Sequence, residues 1–299
     1  MGRSAALCGA SALVMAALLR HNALVGQAVG EALALCARSV IPALLPFFIT
    51  VSLAIGCGLF DLLRCTGLPP EAAVFVVGAI GGYPVGARTA GELFRQGGIS
   101  RRRAQRLLTC CNNAGPSFIL SIVGAGVFGD KRMGLVLYAI HLLAALAAGW
   151  LMGRFGAEKA PLNGGKCTHK GAEMIPKRTD FSVLFVESVR SGAASMVSIC
   201  GFVVYFWVLA ALLRQLFPAL SPALCGLLEL TGDITTLPPT ARGFCAAAAL
   251  LGWGGVSVHC QTAAVLEGSG LSLRGYLSAK AVQAVISAGM AAAVCPLLF

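Results

Sequence analysis

The residues best suited to chemistry lie where charge is scarce. Between Leu107 and Phe128 no side chain is charged, yet the middle of the run reads Asn112-Asn113-Ala114-Gly115-Pro116-Ser117. Amides in an apolar run are costly without partners. Asn112 and Asn113 can offer amide oxygens and N–H groups to a solute or cation; the competing role is to cap a broken helix. Two consecutive asparagines exceed what one cap needs. Gly115 favours a break and Pro116 cannot donate to a helix ladder. The backbone of 112–117 is therefore expected to leave the α-helix, with Pro116 opening the next half-helix. That half-helix would turn a partial positive charge toward a cavity. Cys110 and Cys111, in the turn before the break, are explained by their small size.

A second run reads Gly81-Gly82-Tyr83-Pro84-Val85-Gly86-Ala87-Arg88. Its glycines allow close approach of the backbone to a helix or to a ligand. Tyr83 can stack on an aromatic solute or anchor at an interface. Arg88 directly follows the uncharged stretch Ala72–Ala87, and a guanidinium binds a carboxylate bidentately. Its competing roles are to snorkel at a helix end or to pair with Glu92 one turn on. A third run, Gly254-Gly255-Val256-Ser257-Val258-His259-Cys260-Gln261, supplies neutral hydrogen-bonding groups and a histidine that either carries protons or acts as a neutral donor and acceptor. Glu229, after a short apolar stretch, either binds Na+ or H+ or ends a half-helix. The substrate-binding candidates are thus Gly82, Tyr83, Pro84, Arg88, Asn112, Asn113, Gly115, Ser117, Gly255, Ser257, His259 and Gln261, with Glu229 for ion coupling. No H-E-x-x-H, G-x-S-x-G or Gly-rich phosphate loop is present, and Glu229 with Asp233 does not make a hydrolase, so no enzyme and no metal site are expected.

The elements that position these residues follow from composition. Of 299 residues 57% are hydrophobic and 12% charged, about half the roughly 25% of a soluble domain. The bilayer is the solvent that suits such a chain. The net charge of +11 is clumped, at Arg95 and Arg101, Arg102, Arg103 and Arg106, and again at Arg154, Lys159, Lys166, Lys170, Lys177 and Arg178. Basic loops beside apolar spans mark the cytoplasmic face of an inner-membrane protein. No aromatic-basic platform supports nucleic-acid binding. The twelve cysteines include no C-x-x-C pair and are expected to pack as small hydrophobes. Arg3 followed by apolar Ala5 to Leu19 mimics a signal peptide, but in this setting an uncleaved first helix is expected.

Runs 41–60, 134–153, 193–213, 244–264 and 281–299 are apolar enough to cross roughly 30 Å of hydrocarbon. Residues 21–40 read as an amphipathic helix, and 154–180, basic and rich in Gly and Pro, as a linker. Laying 81–90 over 254–263 matches five of ten residues: both glycines, a valine, a threonine and an alanine. Ile99-Ser100-Arg101-Arg102 then meets Leu271-Ser272-Leu273-Arg274. Paired Gly/Pro-interrupted segments in two halves point to a transporter's binding site. The fold expected is all-α, a polytopic membrane protein with two related and inverted repeats containing broken or re-entrant helices. Residues 1–40 form the N-terminal helices, 41–153 repeat 1, 154–180 the linker and 181–299 repeat 2.

The three runs, in this order, resemble the YlbJ-like sporulation integral membrane proteins, a family of the nucleoside-recognition, or Gate, domain group. The resemblance covers the chain from Pro42 onward. It departs where a serine before Gly-Tyr-Pro would be expected and Gly81 stands, where a lysine would be expected and Arg88 stands, and in a shorter connection between Phe60 and Val74. The family implies a spore-forming host, a fold similar to concentrative nucleoside transporters, and movement of dipicolinic acid from mother cell toward forespore across the outer forespore membrane. Nucleosides or nucleobases are the rival substrates, and a non-transporting assembly protein of the spore envelope is the rival class. No cofactor is implied beyond a coupling ion, Na+ or H+. The partners are the solute and the lipid bilayer, and a homo-oligomer stays open.

Overall fold

A computed structural model describes residues 2–59, 62, 65, 67–95, 97–155, 180–219 and 221–299. Every regular element among them is helical. Five helices are long and apolar enough to cross a membrane: Asn22–Val40, Lys131–Gly153, Phe181–Leu216, Ala241–Leu266 and Arg274–Leu298. The chain is a multi-pass membrane protein. Nearly all of the basic linker expected at 154–180 falls outside the described residues.

Helix α1 spans Gly2–Arg20 and α2 spans Asn22–Leu35. A π-wound turn, Cys36–Val40, carries α2 directly into α3, Ile41–Gly56. The cause is Pro42 and Pro46: neither has an N–H to return to the preceding turn, and a widened turn absorbs the mismatch. The boundary expected at 40/41 therefore falls inside one continuous rod. The expected span at 41–60 is the second part of that rod. It ends at Gly56, because Cys57 leaves helical geometry and Gly58 has φ +92°.

Helices α4 (Pro70–Gly81) and α5 (Val85–Arg95) fold back on each other around Gly82. They meet through glycine, for a methyl added to Gly78 would lie 2.8 Å from the Gly86 Cα. Helix α6, Arg101–Cys111, ends at a break over 112–115. Pro116 stands in the first turn of the following helix, which continues as the π-wound α7, Phe118–Val127. The expected interruption is present and slightly shorter than expected. Helix α8 is Lys131–Phe155 and α9 is Phe181–Leu216. Short helices α10 (Ser221–Leu228) and α11 (Leu230–Thr235) flank Glu229. Helix α12, Ala241–Trp253, breaks at Gly254 into α13, Gly255–Leu266, and α14 is Arg274–Leu298.

The α2–α3 rod and α9 run antiparallel. Gly56 meets Leu184, Gly192 meets Ile49, and Trp207 Nε1 donates to Glu31 at 3.4 Å. One end of the molecule is basic. There Arg103 pairs with Glu71 at 2.7 Å, Arg106 donates to the Gly153 carbonyl at 3.0 Å, and Gln105 donates to the Ser272 carbonyl at 3.2 Å. The open end of the α4–α5 hairpin, the start of α6, the end of α8 and the α13–α14 loop thus lie together. The far end is closed by aromatic edges, Phe128 on Phe244 at 5.5 Å and Phe244 on Phe299 at 6.0 Å.

The order of elements gives a register other than that of the sequence match. From the rod onward the first half runs long helix, folded pair α4–α5, broken helix α6–α7, long helix α8. The second runs α9, α10–α11, broken α12–α13, α14. In that order Gly82-Tyr83-Pro84 corresponds to Glu229, and the break at 112–115 corresponds to Gly254. The match of 81–90 with 254–263 pairs a hairpin tip with a helix break. Gly-Gly serves both, because both need positive φ, +73° at Gly82 and +86° at Gly254.

Candidate solute cavity

Each hairpin tip closes on the broken helix of its own half. A methyl on Gly82 would come within 2.9 Å of the Gly115 nitrogen, and one on Gly255 within 3.1 Å of the Leu230 nitrogen. The Cys111 carbonyl fits between the arms of the first hairpin, where a methyl on Gly86 would sit 1.9 Å from it. Gly78, Gly82 and Gly86 therefore serve backbone-to-backbone packing. The tip of the first hairpin also reaches the second half: the Tyr83 hydroxyl donates to the Leu251 carbonyl at 3.2 Å.

Where these four interruptions converge lies a cavity of about 60 Å³, partly open to the outside. Its apolar wall includes Leu44, Phe118, Ile122 and Val203, and its polar wall Tyr83, Glu229, Thr231, Ser257 and Gln261, with Ala114 and Gly115 at the break. An apolar pocket with a few converging polar groups is the usual form of a small-molecule site. Ser257 is 1% exposed and its hydroxyl has no partner among the described residues. Gln261, one turn on, makes no side-chain hydrogen bond among the described residues. Among the described residues no side chain caps α13, and uncapped first-turn N–H groups are the ones that can meet an outside acceptor. The α11 start is different: Glu229 accepts from Thr231 N at 3.0 Å and Gly232 N at 2.6 Å, and so caps it.

Of the expected site residues, Tyr83, Gly115, Ser257, Gln261 and Glu229 line this cavity, and Gly82 and Gly255 pack on its lining residues Gly115 and Leu230. Ser117 is half-buried in the first turn after the break and does not line it. Pro84 and Arg88 line a second cavity, between α3, α5 and α9, with Phe48, Ser52, Thr89 and Glu92. There the Arg88 guanidinium donates to Ser191 and, at 3.3 Å, to Ser195. Glu92 forms its ion pair with Arg95 at 2.9 Å.

The two asparagines lie behind the cavity wall and hold the break together. Asn112 accepts from Ala87 N at 3.4 Å and donates to Thr262 at 2.8 Å and Tyr276 at 3.2 Å. Asn113 donates to the Cys110 carbonyl at 2.6 Å and accepts from Gln283 at 3.3 Å and Lys280 at 3.5 Å. Ala114 N donates to His141 Nε2 at 3.0 Å, so that nitrogen is an acceptor and carries no proton. His259 sits in the same network, its Nδ1 3.2 Å from the Tyr276 hydroxyl and its ring 4.5 Å from Trp253.

The sequence reading missed Lys280, which is 0% exposed. The uncharged run 281–299 begins one residue after it. The signal was there: Tyr276, Lys280, Gln283 and Ser287 fall on one face of α14, at the i, i+4, i+7, i+11 spacing of a helical stripe. All four are buried.

The chain is 26% identical over 294 residues, 83% of this chain and 72% of the relative, to the sporulation integral membrane protein YlbJ of Bacillus subtilis (strain 168). No protein-family model and no solved structure matches it. The similarity runs through most of both chains and supports a YlbJ-like assignment.

Proposed function

We propose that this YlbJ-like protein transports a small organic solute across the membrane during spore formation, and that the solute is dipicolinic acid (pyridine-2,6-dicarboxylate). The observation that carries the reading is the Ser257 hydroxyl, buried and unpartnered at the cavity. Such a group costs about 1–3 kcal/mol left unsatisfied, and a solute acceptor would relieve it. Beside it the uncapped start of α13 favours an anion, and Gln261 adds a neutral donor. Gly115 brings the start of the next half-helix to the same cavity, so two carboxylates would meet two helix starts. Phe118, Ile122 and Tyr83 suit the flat ring between them. The folded pair α4–α5 opens at the basic end and α10–α11 leads to the far end, the arrangement expected of inverted halves that alternate access around a fixed site. The basic end is assigned to the mother-cell cytoplasm. Sporulation comes from the relative's name, and the solute from the resemblance.

A second reading is favoured by Glu229. It is the one acid lining the cavity among the described residues, and its oxygens would accept N–H groups from a neutral nucleoside or nucleobase. Proteoliposomes decide between the two. Saturable uptake of dipicolinate over uridine supports the first reading, uridine alone the second, and neither solute, with or without Na+ and pH gradients, a non-transporting envelope protein.

A further inference from the structure

Among the described buried residues two carry an acid or ammonium group, Glu229 and Lys280, and they sit on opposite sides of the cavity wall. Glu229 directs both oxygens at the N–H groups of α11, so the positive end of that helix meets its charge. Lys280 has no such counterweight. Its Nζ donates to Gln283 Oε1 at 2.8 Å and Asn113 Oδ1 at 3.5 Å, both neutral amides. It lies 5.2 Å from the centroid of the Tyr83 ring and 5.9 Å from that of Tyr276. The other titratable groups about it are Cys110 and Cys111 on α6, His141 on α8 and His259 on α13, and none is a carboxylate. Amide oxygens and ring faces solvate a cation without cancelling its charge.

We propose that Lys280 is the specificity-determining charge of the solute site. It is held behind Tyr83, which is also a wall of the cavity, and makes the cavity selective for anions. The inference rests on the transport reading and deepens it by naming the residue that selects the solute's charge. A charge at membrane depth is expensive and calls for a compensating role. Here its field reaches a cavity whose own acid is already matched by a helix start. In a low-dielectric interior a field is weakly screened over one ring's thickness. Lys280 need not touch the solute, and Tyr83 keeps the two from forming a trapped ion pair.

The test compares uptake of dipicolinate with that of its uncharged analogue, pyridine-2,6-dicarboxamide, by the full chain in proteoliposomes. Wild type favours the dianion. Lys280→Met lowers dipicolinate uptake at low concentration about tenfold and changes diamide uptake less than about twofold, while Lys280→Arg keeps the preference. Asn113→Asp, which sets a negative charge against an intact lysine, lowers the preference in the same direction and serves if Lys280→Met does not reach the membrane. Transport with an unchanged dianion-to-diamide ratio in Lys280→Met and Asn113→Asp overturns the charge assignment and leaves transport standing. A wild type that prefers the diamide overturns it too. Failure of the wild type to move either probe removes the transport reading and this assignment with it.

Discussion

Gly82, at the tip of the first hairpin, lies backbone to backbone against Gly115, in the break of the helix that follows: a methyl on Gly82 would meet the Gly115 nitrogen at 2.9 Å, and one on Gly115 the Gly82 Cα at 3.3 Å. Gly255 lies equally close to the Leu228–Leu230 backbone. An interrupted backbone at membrane depth is tolerated where protein or a wet cavity covers it, and here each interruption covers another. The cavity is the space that the four leave between them.

This close packing makes the glycines of the first hairpin intolerant of any side chain. In Gly86→Ala the new methyl would sit 1.9 Å from the Cys111 carbonyl oxygen, and backbone on both sides leaves nothing flexible to yield. Destabilisation of about 3 kcal/mol or more is expected. Gly30→Ala, with nothing within 4 Å, should melt like wild type. Thermal melts of both variants in detergent check the contrast.

Asn112 should prove a folding residue before it proves a transport residue. Its amide joins Ala87 N on α5, Thr262 on α13 and Tyr276 on α14. Asn112→Ala strands those groups in a dry interior, at a cost of about 1–3 kcal/mol. Lower melting temperature and lower membrane yield are expected. Normal melting with lost uptake would place the asparagine in the solute site instead.

Arg88→Gln separates the two cavities. As the desolvated partner of a solute carboxylate, Arg88 would be worth about tenfold or more in uptake. In the structure the guanidinium is bonded to Ser191 and Ser195 and lines the cavity toward α3 and α9. Uptake within about threefold of wild type is therefore expected, the size of a partly exposed polar contact. A tenfold loss at equal protein level would make the second cavity part of the solute's path.

The asparagine-glycine-proline break was legible in the sequence because its residues act locally: Pro116 cannot donate and Gly115 does not hold a helix. Whether a break becomes a hairpin or a kink was not legible at Gly81-Gly82 and Gly254-Gly255, since both pairs permit it. The decision lies in what packs around them, Gly78 against Gly86 in the first case and α12 against α14 in the second. The asparagines looked like ligands for the same reason that they make good latches, and only their partners distinguish the two. Lys280 stands just outside the uncharged run 281–299, and what marks it in the sequence is its place on the polar stripe of α14.

The claim that solute binds where the tips meet the breaks is tested most directly with two serines. Among the described residues the buried hydroxyls of Ser257 and Ser287 both lack partners, but Ser257 lines the cavity and Ser287 does not. Each is changed to alanine and initial uptake of dipicolinate is measured at low concentration in proteoliposomes at matched protein level. The account predicts a fall of about fivefold or more for Ser257→Ala, the loss of one hydrogen bond to a charged group, and little change for Ser287→Ala. Equal uptake by the two variants would contradict it.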